Sequence, residues 1–152
     1  MTSFISNYSS HCYELMRIVA GFLFLWHGSQ KLFSFPRGMP DGVPAFITYV
    51  AGPIELVGGI LIMIGLFTNW AAFLSSGLMA FAYWMAHGTK ALLPLQNNGE
   101  LAALYCFVVL FIAAQGGGIW SVDSLRSGKA PDRSQTDKRT ERKDLHYEHT
   151  GT

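Results

Sequence analysis

The sequence predicts an all-α membrane protein, a bundle of four transmembrane helices followed by a polar C-terminal tail. Half of the 152 residues are hydrophobic and only 14% are charged. Seven of the eleven lysines and arginines lie after Ser121, so the preceding part of the chain is more apolar than this average indicates. Turn-forming segments divide that part into four apolar stretches, each close to the length of a helix that crosses a bilayer.

The first predicted span covers residues 13–33 and follows a short polar arm at residues 1–12. It carries charged side chains, although an unpaired charge at membrane depth costs several kcal/mol. Five residues at spacings of 4, 3, 4 and 3 share one face of this helix: Arg17, Gly21, Phe24, Gly28 and Lys31. Because the other faces are apolar, we expect this polar, glycine-notched face to point into the bundle.

The second predicted span, residues 46–67, follows a loop that is rich in proline and glycine. Glu55 lies close to its midpoint. Gly52, Glu55 and Gly59 share a face because they are 3 and 4 residues apart. Small residues on that face allow a second helix to approach closely. Pro53 removes a backbone donor, which predicts a bend in this helix.

Residues 70–87 and 99–115 form the third and fourth predicted spans. The connection between the second and third spans is so short that these helices must be antiparallel neighbours. We expect Thr68 or Asn69 to cap the third helix, since both side chains suit an N-cap. The fourth span ends at a run of three glycines, which is typical of a helix stop.

Residues 126–152 are polar, mixed in charge and almost free of aliphatic side chains, which is typical of a disordered tail. Four spans place both ends of the chain on one side of the membrane. Because the tail concentrates the lysines and arginines, the positive-inside rule assigns that side to the cytoplasm. The sequence therefore predicts a multi-pass protein of the cytoplasmic membrane with both termini in the cytoplasm.

Ionisable side chains in or beside the predicted spans are the candidate functional residues, because such groups are costly in a bilayer and commonly handle ligands or protons. Helical rise places Glu55 near the midplane and Arg17 near the inner face, with the others in the outer half or at its rim. No catalytic residue is assigned. The ligand-binding or proton-handling candidates are Glu55, His27, Lys31, Arg17, His87 and Glu100.

Each of these candidates also has a structural interpretation. Lys31 and Arg17 would snorkel to opposite interfaces. Glu55 would pair with Arg17 or His27, or would bond a backbone carbonyl in its protonated form. The two histidines would be interfacial hydrogen-bonding residues. Glu100 would be a first-turn acid that the helix dipole favours.

Several function classes lack their motifs in this sequence. There is no P-loop, no dinucleotide-binding glycine motif, no H-E-x-x-H and no E-x-x-H, so no metal site is predicted. Cys12 and Cys106 form no C-x-x-C pattern and are predicted to be unpaired thiols. A formal net charge of +1, without a basic patch interleaved with aromatic residues, gives no indication of a nucleic-acid partner.

Four motifs together resemble the DoxX family of small four-helix membrane proteins. They are R-x3-G followed by H-G-x2-K in the first span, GPIELVGGILIMIGL in the second, NGELAALY at the start of the fourth, and G-x-x-S-x-D at Ser121 and Asp123. The resemblance covers about residues 13–125 and implies a bacterial cytoplasmic-membrane protein. By this resemblance, four positions match family motif residues: Arg17, Lys31, Glu55 and Glu100.

The resemblance also implies a redox-associated role. The wider group includes subunits of thiosulfate:quinone oxidoreductase and proteins associated with oxidative-stress and thiol redox systems. Quinone is the cofactor this implies, and aromatic residues of the spans suit its flat ring. The chain lacks a redox-active cysteine pair and an evident electron carrier, so a redox partner protein or a bound cofactor would have to supply the electrons.

Three functions therefore fit the sequence, and it does not choose between them. The first is a redox-linked subunit that faces quinone and belongs to a membrane oxidoreductase complex. The second is a non-enzymatic membrane anchor or assembly partner, whose tail binds a cytoplasmic protein. The third is a small-molecule or proton conduit, which would need a homo-oligomer because four helices enclose only a narrow pathway. The lipid bilayer is a partner in all three.

Overall fold

A computed structural model describes residues 7–128 of the chain, and these residues form helices without a β-strand among them. The all-helical fold class is therefore confirmed for this part. Two of the long helices include a π-helical turn at one end. The helices are α1 (Ser9–Phe33), α2 (Gly52–Ile64, preceded by a π-helical turn at Ile47–Ala51), α3 (Thr68–Tyr83, continued by a π-helical turn at Trp84–Gly88), α4 (Pro94–Asn97), α5 (Glu100–Gln115) and α6 (Val122–Ser127).

The four long helices run in alternating directions, in two closely packed pairs. Helix α1 packs along α2, and α3 packs along α5. The turn between α2 and α3 is closed by Gly65, whose φ of 72° lies in the left-handed region that favours glycine. In this arrangement one end of the bundle contains the last turn of α1 and the start of α2. We call it the Lys31 end, and we call the opposite end the Arg17 end.

The observed bounds differ from the predicted ones mainly at helix ends. Helix α1 begins at Ser9, inside the predicted polar arm, and α3 begins at Thr68 rather than at residue 70. Helix α5 agrees with its predicted span. Helix α6 continues to Ser127 and so overlaps the start of the predicted tail. Residues 1–6 and 129–152, which include most of that tail, lie outside the described residues.

The glycine-notched face of α1 packs against the small-residue face of α2, as its spacing predicts. A Cβ atom placed on Gly21 would lie 2.7 Å from the Gly59 carbonyl oxygen, and one on Gly28 would lie 2.7 Å from the Gly52 carbonyl oxygen. Real Cβ contacts are not this short, so the two backbones can approach only where side chains are absent. The close approach fixes which side chains of α1 and α2 meet.

Among residues 7–128, one helical stretch, Ile47–Ile64, is both long and apolar enough to cross a membrane. Helix α5 is apolar but has 16 residues. Helix α1 has 25 residues and carries Glu14, Arg17 and Lys31. The number of four spans therefore stays a prediction.

The interior of the bundle combines two hydrophobic clusters, one around Ile62 and Val109 and one around Phe24 and Tyr105, with buried polar and charged side chains, and its outer faces are apolar. The buried polar and charged residues are Glu14, Arg17, Ser29, Glu55, Thr68, Ser75, Ser76, Asn97 and Ser121. On the outside, large aromatic side chains are widely exposed, for example Phe22 at 46%, Phe73 at 58% and Phe107 at 69%.

The contact between Gly58 and Ser75 joins α2 to α3 and gives a prediction about packing. The Ser75 hydroxyl oxygen is buried without a hydrogen-bond partner among the described residues. A Cβ on Gly58 would lie 2.7 Å from this oxygen, and the next atom is 4.0 Å away. We expect Gly58→Ala to lower the free energy of unfolding by about 1 kcal/mol, and Ser75→Ala in the same chain to restore it. Thermal unfolding in detergent measures both.

Gly77→Ala is the matched control for this pair, because a Cβ at Gly77 has open space around it within 4 Å. It should not lower stability, since alanine is the better helix former. A double variant as unstable as Gly58→Ala alone would contradict the assignment of the clash to the Ser75 hydroxyl.

Candidate functional site

A buried ion pair lies at the Lys31 end of the bundle. Lys31, in the last turn of α1, donates to the carboxylate of Glu55, in the first turn of α2. The Glu55 side chain is 3% exposed and the Lys31 side chain 17%. The close approach of the helices at Gly28 and Gly52 brings the two side chains together. The structure thus pairs Glu55 with Lys31, and the predicted pairing with Arg17 or His27 is wrong.

Two aromatic residues lie beside this pair and link it to α5. His27 precedes Lys31 by one helical turn, and its ring meets the Tyr105 ring edge-on at 6.0 Å between centroids. Tyr105 also contacts Phe24 at 5.6 Å, and Phe24 is fully buried. Neither the His27 imidazole nor the Tyr105 hydroxyl forms a hydrogen bond with another residue of the described part. Residues from three helices therefore follow one another at this end of the bundle: Glu55 of α2 contacts Lys31 of α1, and His27, one turn before Lys31, contacts Tyr105 of α5.

His87 belongs to a separate polar cluster that ties down the loop between α3 and α5. Its Nδ1 atom donates to the Asn97 carbonyl oxygen at 2.9 Å. The Asn97 side chain is 2% exposed. Its amide group donates to the Tyr83 hydroxyl at 3.2 Å and to the Ala91 carbonyl at 2.9 Å, and its oxygen accepts from the Gly99 amide at 2.7 Å. Among the described contacts, none connects His87 with the Lys31–Glu55 pair.

Glu100 is exposed in the first turn of α5. The described part of the chain offers it neither an ion pair nor a hydrogen bond to its side chain. A carboxylate at this position interacts favourably with the partial positive charge of the helix N-terminus. The position of Glu100 fits the interpretation of a first-turn acid.

Arg17 lies at the other end of the bundle and does not snorkel to an interface. It is fully buried, and its guanidinium pairs with Glu14 at 2.7 Å. It also donates to the carbonyl oxygens of Ile62 at 2.6 Å, Met63 at 2.9 Å and Trp120 at 2.7 Å. Carbonyls at the C-terminus of a helix lack intrahelical partners, so a cation with several donors satisfies them well. Arg17 thus closes the end of α2 and holds the loop before α6.

Glu14 completes this arrangement, and it was not among the residues that the sequence singled out. It is fully buried, and its second oxygen accepts from the Ile119 amide. Its position three residues before Arg17 on the same helix is a spacing at which side chains of opposite charge meet. That spacing was the signal that could have found it.

The G-x-x-S-x-D motif has a structural role at the Arg17 end. Asp123 accepts hydrogen bonds from the Phe67 amide, the Thr68 amide and the Thr68 hydroxyl, each at 2.9 Å. Ser121 caps α6 by accepting from the Ser124 amide at 3.0 Å. The predicted capping of α3 by Thr68 or Asn69 is therefore wrong, because a side chain from α6 supplies the cap.

The cap that Asp123 provides gives a prediction about acid stability. Burial raises the pKa of Asp123, but the hydrogen bonds from Thr68 and Phe67 and the nearby Arg126 outweigh it, so its pKa lies below the usual range. A carboxyl whose pKa is lower in the folded state contributes stability above its unfolded pKa of about 4, and loses that contribution as the pH falls through the folded pKa. Both carboxylate oxygens accept hydrogen bonds, whereas an asparagine offers one acceptor oxygen, so we expect Asp123→Asn to lower the free energy of unfolding by about 1 kcal/mol at pH 7.

The difference in the free energy of unfolding between wild type and Asp123→Asn should then become smaller as the pH falls below about 4. Thermal unfolding in detergent between neutral and acidic pH measures it. Asp41→Asn, in the exposed loop before α2, is the control. A difference that stays constant across the pH range would contradict the role of the ionised carboxylate.

The described residues hold no cluster of three His, Cys, Asp or Glu side chains that could bind a metal ion. Cys12 and Cys106 are free thiols. The chemistry that this arrangement offers is therefore that of a carboxylate, an ammonium group, an imidazole and a phenol. These groups donate and accept hydrogen bonds and protons.

Comparison with known proteins places this geometry in a family context. The family model described as DoxX matches residues 13–88, a range that includes Arg17, Lys31 and Glu55. An uncharacterised protein of Haemophilus influenzae is 37% identical over 126 residues, which cover 79% of this chain and 94% of that protein. The Bacillus subtilis protein named "Putative oxidoreductase CatD" is 28% identical over 117 residues, 72% of this chain and 82% of that protein. No solved structure matches the chain.

Proposed function

The chain belongs to the DoxX family, and on that premise we propose that it is a four-span protein of the bacterial inner membrane that binds a quinone as a subunit of a membrane oxidoreductase complex. The buried Lys31–Glu55 pair carries this proposal. The name of the Bacillus subtilis relative, "Putative oxidoreductase CatD", favours a redox role.

The distribution of polarity supports the membrane assignment. Charged side chains such as Arg17 and Glu55 are buried inside the bundle, while phenylalanine and leucine side chains cover its outer faces. In water such a surface would aggregate, whereas in a bilayer it matches the lipid. Helices α1, α3 and α5 carry exposed phenylalanines, so each of them has a lipid-facing side. The bundle as a whole, and not only the stretch Ile47–Ile64, then lies in the membrane.

The Lys31–Glu55 pair is more readily explained by function than by stability. When two charged groups are buried, the hydration free energy that they lose often exceeds the free energy of their attraction. Replacing such a pair by apolar residues of similar volume commonly leaves the stability of a protein unchanged or raises it. A buried ion pair in a bundle with an apolar outer surface is therefore a functional candidate. The Lys31 ammonium group and the His27 imidazole can donate hydrogen bonds to a carbonyl oxygen, and the Glu55 carboxylate can take up and release protons.

Reduction of a quinone to a hydroquinone consumes two electrons and two protons. In this proposal the proton-exchanging side chains belong to the Lys31–Glu55 site, and a partner oxidoreductase of the complex delivers the electrons. The chain then contributes the membrane location and the proton-handling groups.

The test is purification with native lipids, followed by mass spectrometry of the bound small molecules. Wild type is compared with Lys31→Met, and with Lys90→Met as a matched control, since Lys90 lies exposed in the loop after α3. We expect an isoprenoid quinone with the wild type and with Lys90→Met, and at least tenfold less with Lys31→Met. A wild-type protein that carries no quinone would contradict the proposal and would favour an anchor or assembly role instead.

The orientation that accompanies this proposal has its own prediction. Seven lysines and arginines follow Ser121, and four spans precede it, so both termini should be cytoplasmic. Alkaline phosphatase fused after Thr152 should be inactive, because the enzyme matures only outside the cytoplasm, and a fusion in the loop at residues 36–44 should be active. The opposite activity pattern would contradict the orientation.

A further inference from the structure

The tyrosines of the bundle differ in what their hydroxyl groups do. Tyr13 donates its hydroxyl to the Gly116 carbonyl and so holds the end of α5. The Tyr83 hydroxyl is engaged by Asn97 in the loop cluster. The Tyr105 hydroxyl, in contrast, forms no hydrogen bond with any residue between positions 7 and 128. Polar groups in a protein interior are normally hydrogen-bonded, so this exception calls for a partner.

The position of Tyr105 is fixed, and its hydroxyl is open to a small molecule. The residue is 8% exposed, and its ring lies against Phe24 and edge-on to His27. Within the described part of the chain, the only side-chain oxygen or nitrogen that is sealed and unpartnered belongs to Ser75. The Tyr105 oxygen is therefore not sealed. Part of its surface is accessible, and the ring that carries it lies edge-on to the imidazole of His27.

We infer that Tyr105 is a ligand-binding residue of the Lys31–Glu55 site, where its hydroxyl donates a hydrogen bond to a carbonyl oxygen of the bound quinone. This inference rests on the function proposed above. It adds a ligand contact from α5, to which the proposed function assigned no role. Helix α5 carries one hydroxyl-bearing residue along its length, and this residue is Tyr105.

The chemistry favours a neutral carbonyl acceptor. A phenol hydroxyl is a strong hydrogen-bond donor, and burying it without an acceptor costs free energy. A hydrogen bond to a carbonyl oxygen of the ligand would remove this cost. The site already contains one positive and one negative charge, which neutralise each other in the ion pair. An uncharged ring with an oxygen on its edge satisfies the free donor without adding a third charge to the apolar bundle. The His27 ring lies edge-on to the Tyr105 ring, and a flat ring ligand can pack against an imidazole of this kind.

Tyr105→Phe tests the inference, because it removes only the oxygen and keeps the packing of the ring. Tyr49→Phe is the matched control, since Tyr49 is 76% exposed on the outer face of the bundle. The probe is decylubiquinone, titrated into the purified full-length protein in detergent and followed by calorimetry. Decylbenzene, which has the alkyl chain and a ring but no carbonyl, serves as the second probe.

We expect Tyr105→Phe to bind decylubiquinone about tenfold more weakly than wild type, as the loss of one buried hydrogen bond implies. Tyr49→Phe should bind it like wild type, and decylbenzene should not distinguish Tyr105→Phe from wild type. The unfolding temperature without ligand should be the same in all three chains.

Four results would overturn the inference. Equal affinity of Tyr105→Phe and wild type for decylubiquinone would show that the hydroxyl makes no contact. Equal weakening for both probes would show that the residue only shapes the space. A lower unfolding temperature of Tyr105→Phe would show that the hydroxyl has a protein partner. A wild-type chain that does not bind decylubiquinone would overturn the inference and the proposed function together, whereas the first three results leave the proposed function standing.

Discussion

Arg17→Met is expected to lower the free energy of unfolding by about 3–5 kcal/mol, the usual cost of leaving one partner of a buried ion pair without the other. The substitution keeps the length of the side chain but strands the Glu14 carboxylate, which is fully buried. It also removes the donors to the carbonyls of Ile62, Met63 and Trp120. Thermal unfolding in detergent and the yield of monodisperse protein after gel filtration both measure this loss.

The matched control is Arg37→Met, since Arg37 is exposed in the loop before α2 and should tolerate the change. In the double variant Glu14→Gln/Arg17→Met, stability should recover in part, because the stranded charge is gone while the backbone carbonyls still lack donors. If Arg17→Met were as stable as wild type, the guanidinium would snorkel to the interface after all, and the network at this end would contribute nothing.

The sequence predicts the faces of α1 and α2 well because helical periodicity is local. Residues 3 and 4 positions apart lie on one face whatever the rest of the chain does. For that reason the stripe through Gly21 and Gly28 and the face with Gly52 and Glu55 could be identified before the structure was known. That each stripe combines a charge with glycines already indicated that both faces point inward.

Which charges meet could not be predicted, because it depends on the register of α1 against α2. Gly21 lies against Gly59, and Gly28 lies against Gly52. With this register Lys31 reaches Glu55, while Arg17 lies beyond Gly59, near the end of α2. A shift of one turn along α2 would have matched other glycines and other charges. The spacing of small residues permits several registers, and only the sum of packing along both helices selects one.

The roles of Arg17 and Asp123 were hidden for a different reason. Both side chains bind backbone groups that are distant in sequence, from Arg17 to Trp120 and from Asp123 to Phe67. A sequence motif identifies the side chain. Every residue has a backbone carbonyl, and every residue except proline has a backbone amide N–H, so the sequence does not indicate which of these groups the side chain binds. The G-x-x-S-x-D motif therefore supported the family resemblance, whereas its function as a cap on α3 became visible only in the structure.

The Lys31–Glu55 pair gives the second large expected effect. Glu55→Gln keeps the shape of the side chain and a hydrogen-bond acceptor for Lys31 but removes the titratable proton and the negative charge. We expect a chain that still folds and inserts, since Lys31 is partly exposed and can be hydrated, but that fails to complement a deletion strain. Expression level and unfolding temperature measure folding and insertion, and growth of the complemented strain measures function. Glu55→Leu, which removes the polar partner altogether, should in addition lose stability.

The exchanged pair, Lys31→Glu with Glu55→Lys, separates a functional role of these residues from a structural one. It restores an ion pair between α1 and α2 but moves the carboxylate to α1, beside His27, and the ammonium group to α2. If the pair only joins the helices, the exchange should recover both stability and growth. If the position of the proton-handling carboxylate matters, as proposed, it should recover stability to within about 1 kcal/mol of wild type and leave growth at the level of the deletion strain. Recovered growth would show that the pair is a strut between two helices, and the site would then lose its central proton-exchanging group.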